Sequence, residues 1–112
     1  RIEAVAEGNL AFAPQSYDCT VILALAGRAA GSTDGDAIIA AVGEVTGGGT
    51  ECTTYAECAA GIDAGEDIAY VGKVGALALD AGGDPTIAIY TVSRFEGGEL
   101  VDVTTQSFDL AR

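Results

Sequence analysis

Residues 16–30 read Ser16-Tyr17-Asp18-Cys19-Thr20-Val21-Ile22-Leu23-Ala24-Leu25-Ala26-Gly27-Arg28-Ala29-Ala30, and this stretch decides how the chain is built. It has the composition and length of a helix, closed by Gly31. Val21, Ile22, Leu23, Leu25, Ala26, Ala29 and Ala30 go almost all the way round such a helix. A helix apolar on every face is buried on several sides. Helices of that kind sit inside larger proteins, so residues 16–30 predict a chain that packs against more than its own 112 residues.

Upstream, residues 1–7 read as the last turns of a preceding helix, with Gly8-Asn9 as a left-handed stop. Residues 9–15 form a connector, with Pro14 near the next helix start. Downstream, residues 33–42 predict a short helix, with Thr33 and Asp36 as its capping pair and Ile38, Ile39 and Val42 as its inner face. The glycine-rich run 46–50 is a loop by composition. Residues 54–64 predict a third helix: Thr54 and Glu57 have capping-box spacing, with Glu57 reaching back to the Thr54 N–H, and Gly65 ends it. After Tyr70 the period changes. Residues 76–79 and 86–95 read as strands around a turn at 80–85, and 100–108 is a closing strand beyond the hairpin turn 96–99. Apolar residues on both faces of 86–95 predict cover on both sides for part of its length. The order is helices first, then a β-meander, in one α/β domain spanning residues 1–112 that is itself partial.

Charge narrows the partners. Seventeen acidic residues against five basic ones give a formal net charge of −12. Such a surface repels nucleic acid and anionic membranes. The run from Val21 to Ala26 is far short of the roughly 20 apolar residues that span a bilayer. The chain begins at Arg1 and contains no Met, which predicts a cut within a longer chain.

The chemical inventory is thin. There is no histidine, hence neither the commonest general base nor the commonest metal ligand. With Thr54 as N-cap, Cys52 lies two residues before it and Cys58 in the first helical turn. A disulfide there closes a seven-residue loop, for about 2 kcal/mol by chain entropy, and implies an oxidising compartment. Two separate core cysteines, or a zinc pair, are the other readings. Cys19 lacks a base or cation to activate it and reads as buried and inert. Asp80 and Asp84 flank a glycine pair but lack the remaining acids of a calcium loop, so they read as a plain turn. The glycines at 47–49 lack the Lys-Ser/Thr of a phosphate loop.

Several short motifs fall in one order: Ser16-Tyr17-Asp18, Ala30-Gly31-Ser32-Thr33-Asp34-Gly35, Val45-Thr46-Gly47-Gly48-Gly49, the Cys52/Cys58 pair, Tyr70 before a glycine-bounded strand, Leu79-Asp80-x-x-Gly83-Asp84-Pro85, and a strand ending in Arg94-Phe95. In this order and spacing, over nearly the whole chain, they resemble the carboxy-terminal part of a branched-chain amino acid-type substrate-binding protein of an ABC transporter, the actinobacterial kind especially. The resemblance implies a type I periplasmic-binding-protein fold: two α/β lobes joined by three crossovers, with ligand in a cleft that closes by hinge motion. It places Phe12 where a ligand-contacting aromatic often stands, and Tyr17 and Asp18 at the helix-start motif. Asp18 would suit a helix N-terminus with no ligand at all. Whole members are much longer, and the first lobe's ligand loops are absent here.

The function this implies is capture of a branched-chain or related amino acid or amide outside the cytoplasm, in the periplasm or as a cell-surface lipoprotein, and delivery to an ABC permease. No cofactor, metal or catalysis is expected. The alternatives are a ligand-sensing ectodomain of a signalling receptor and a free-standing module stapled by a disulfide. With no histidine and an unsupported Cys19, a screen of generic ester, phosphate and disulfide substrates is expected to find no turnover; activity abolished by one substitution would overturn this reading.

Overall fold

A computed structural model describes residues 12–110; the helix expected over 1–7, and the connector up to residue 11, lie outside them. The described residues form a mixed α/β arrangement. Its elements are α1 (Ala13–Ala30), α2 (Gly35–Thr46), β1 (Thr50–Cys52), α3 (Tyr55–Asp63), β2 (Ile68–Gly72), β3 (Gly75–Ala76), β4 (Ile87–Glu96) and β5 (Glu99–Asp109).

Helix α1 starts three residues earlier than expected, because Pro14 sits in its first turn, where a missing N–H costs no helical bond. Gly31 stops it at φ 59°, donating its N–H to the Arg28 carbonyl. The helix is not buried on several sides. It buries one stripe, Asp18, Val21, Ile22, Leu25 and Ala26, at spacings of three and four, while Leu23 is 53% exposed and Cys19 is exposed rather than buried. Among the described residues, α2, α3, the turn after β2 and the segment 74–85 lie against α1, and they leave Leu23 and Cys19 exposed.

Helix α2 corrects two expectations. Its N-cap is Asp34, not Thr33: the Asp34 carboxylate accepts from the backbone N–H groups of Asp36 and Ala37. It also runs on through Val45 to Thr46. The buried stripe is therefore Ile38, Ala41, Val42 and Val45, and Ile39, one step off it, is 70% exposed.

The middle of the chain is a β-α-β unit that the sequence pattern does not announce. Strand β1 pairs parallel with β2, Thr50 with Ile68 and Cys52 with Tyr70, and α3 makes the crossover. Gly49 permits the approach: a Cβ there would lie 2.3 Å from the Asp67 backbone. Ile68, Ala69 and Tyr70 are all buried, so β2 is covered on both faces, as parallel strands usually are. These strands, with Leu25, Val45 and Cys58, centre the core. Burying a side chain such as Leu25 contributes roughly 1.5–3 kcal/mol.

Beyond β2 the strands do not form the expected meander. Strand β3 pairs antiparallel with the end of β2, while β4 and β5 form a separate two-stranded sheet. Leu79 makes only an isolated bridge to Pro85, so the strand expected over 76–79 is confined to its start. The hairpin hangs on the core by the Thr86 and Ile87 N–H groups, both donating to the Leu77 carbonyl. Its turn, Gly97-Gly98, has φ values of 59° and 86°, the geometry of a two-residue turn matched to strand twist. Val103 is the extra residue of a bulge opposite Val92 and Ser93.

Cover on the hairpin is less than its sequence predicts. Only the start of β4 and Ser93 are partly covered, and every residue of β5 is exposed. Tyr90 meets Phe108 edge to face at 5.6 Å, yet Tyr90, Val92, Phe95, Leu100 and Val103 all remain large exposed hydrophobics. A two-stranded sheet without a third strand or a packed face is marginal in water.

Two outcomes are expected. Light scattering at micromolar concentration will find the 112-residue chain associated with itself or with a companion segment; a monomer with a cooperative melt would show that the hairpin stands alone. Ala78 has φ 45°, a conformation that costs an L-residue roughly 1–2 kcal/mol. Ala78→Gly is thus expected to raise the urea midpoint, by the equivalent of about 0.5–1 kcal/mol after the entropy cost of glycine.

Candidate functional site

The most constrained polar group among the described residues is Asp18, on the buried stripe of α1. It is 1% exposed, and its partners lie more than fifty residues away in sequence. Oδ1 accepts from the Tyr70 hydroxyl at 3.0 Å and from the Lys73 backbone N–H at 2.8 Å; Oδ2 accepts from the Val74 N–H at 2.8 Å. A buried carboxylate is tolerable only when its oxygens are satisfied in this way. The clasp fastens α1 to the turn between β2 and β3. Gly72 makes it possible, because a Cβ at that position would lie 2.3 Å from the Asp18 carboxylate. Burial, and then the bond to Asp18, hold the Tyr70 hydroxyl well above the ordinary tyrosine range.

The three residues placed near a ligand by sequence are not alike in space. Phe12 caps α1 at φ 62° and is 76% exposed. Its carbonyl accepts from the Ser16 N–H at 2.9 Å, so the ring projects from a fixed helix start. Tyr17 is also exposed, whereas Asp18 faces inward and spends its carboxylate on the clasp. The sequence reading missed Tyr70, Lys73 and Val74 as partners of Asp18. The available signal was an acid three and four residues before Val21 and Ile22, which puts it on the apolar stripe.

Cys52 and Cys58 form a disulfide, with Cα atoms 5.3 Å apart. It ties the end of β1 to the first turn of α3, and both cysteines are buried. Thr54 caps that turn by accepting from the Glu57 N–H at 3.2 Å. The return bond differs from expectation: Glu57 Oε2 accepts from the Thr53 N–H at 2.9 Å and from the Thr53 hydroxyl at 3.4 Å, not from the Thr54 N–H. Cys19 is the free thiol. It lies on an apolar groove of about 430 Å³ between α1, α2 and the segment 74–85, lined by Ile22, Leu23, Val42, Val74, Leu77 and Leu79 among others.

Several other polar groups brace the scaffold. Asp80 folds its own loop, accepting from the Gly82 and Asp84 N–H groups. Thr46, buried, donates to the Val42 carbonyl and accepts from the Leu79 N–H, joining α2 to the segment before the hairpin. Arg28 and Asp63 form a two-pronged surface pair between α1 and α3. Their hydrogen bond raises the guanidinium pKa and lowers that of the carboxyl. Among the described residues no three acidic, cysteine or histidine side chains are grouped to hold a metal, and no helix is long and apolar enough to cross a membrane. Comparison with protein-family models, curated proteins and solved structures finds no match to this chain.

The clasp generates a graded series. Asp18→Ala strands two backbone donors and a hydroxyl, each worth about 1–3 kcal/mol when buried unpaired, and is expected to lower stability by about 3 kcal/mol or more. Asp18→Asn keeps an acceptor for Tyr70 and Lys73 but turns an amide toward the Val74 N–H, so its loss is smaller. Gly72→Ala forces the carboxylate aside, for about 1–3 kcal/mol. Urea denaturation checks the order. Because the Tyr70 pKa is raised on folding, the stability it contributes is present below the ordinary tyrosine value of about 10 and is lost as pH rises beyond it; Tyr70→Phe removes that alkaline component.

Proposed function

We propose that this chain is the carboxy-terminal part of an extracytoplasmic solute-binding protein of the type I periplasmic-binding fold, serving ABC-transporter uptake of a branched-chain amino acid or a related amino acid or amide. The observation that carries the reading is the Asp18 clasp. Ser16-Tyr17-Asp18 and the glycine-bounded segment after Tyr70 are two of the motifs on which the resemblance rests, and they meet in space with a residue spacing of 52 between Asp18 and Tyr70.

Other features support it. The parallel β-α-β unit is the building block of α/β lobes. The disulfide suits an oxidising compartment outside the cytoplasm. The uncovered hairpin and the groove beside Cys19 are apolar surfaces that a second lobe or a neighbouring strand would cover. In this reading Phe12 offers its exposed ring to the ligand from the start of α1, Tyr17 follows on the exposed side of the helix, and Asp18 acts behind them by fixing the helix. The disulfide-tied core favours a second reading, a free-standing structural module.

Calorimetry on the protein that carries this chain, against a panel of amino acids and amides, separates the two. Solute binding is expected, and Phe12→Ala is expected to weaken it about tenfold, the equivalent of 1.4 kcal/mol, with the melt unchanged. Binding by no member of the panel would sink the transport reading and leave the structural module.

A further inference from the structure

We draw no further inference here: the strongest candidate, the apolar groove between α1, α2 and the segment 74–85 with the exposed Cys19 thiol beside it, carries nothing because nothing in the structure shows what covers it and a lone cysteine identifies no ligand.

Discussion

A carboxylate clasped by uncharged donors holds this structure together. Asp18 has given up nearly all its contact with water, a loss that only well-aimed donors can offset. Two are backbone amides of a tight turn and the third is a phenol at the end of β2. The arrangement explains several residue choices at once. Position 72 must be glycine to admit the carboxylate, position 70 must reach it with a hydroxyl, and α1 must turn that face toward the sheet. Asp18 fixes the rotation of α1 about its own axis, and so sets which of its many apolar residues enter the core.

A second constraint acts on the crossover. Strand β1 has three residues and could not hold its place by pairing alone. Its last residue is bonded covalently to α3, and Thr54 and Glu57 fix the angle at which that helix departs. The opposite strand approaches closely only because residue 49 lacks a side chain. A short parallel pair is thus stabilised by chemistry at its ends rather than by its length.

Much of this was legible in the sequence, though unevenly. Helices α1 and α3 announced themselves through Gly31, Thr54 and Gly65, and the hairpin through Gly97-Gly98 and its alternating flanks, because capping and turn geometry are local; α2 was legible as a helix, but its cap proved to be Asp34. The disulfide was legible for the same reason: both cysteines lie within one helical entry. Strands β1 and β2 were not. Thr50–Cys52 is too short to show a period, and Ile68–Tyr70 is apolar without alternation because both its faces are buried. The apparent all-round hydrophobicity of residues 16–30 misled in the other direction. Leu23 counts as apolar in any tally, but the polar Asp18 was the better guide to the inward face. Tyr17 illustrates a further limit: sequence places it beside Asp18 in one motif, whereas the turn of the helix leaves Tyr17 exposed and Asp18 buried.

The hairpin also bears on the order in which the chain acquires its structure. Its strands are neighbours in sequence, and hairpins of this kind pair in about 1–10 μs. The clasp must instead close a span of 52 residues, a non-local contact whose entropy is spent before any return. Pairing of β4 with β5 needs no such closure and is the faster contact to form, though on its own it is marginal. Whenever the hairpin pairs before it is covered, its strands carry two free edges and exposed aromatic rings, the features through which one chain adheres to another. Acidic groups at Glu96, Glu99, Asp102 and Asp109 stand along this element as gatekeepers against such encounters.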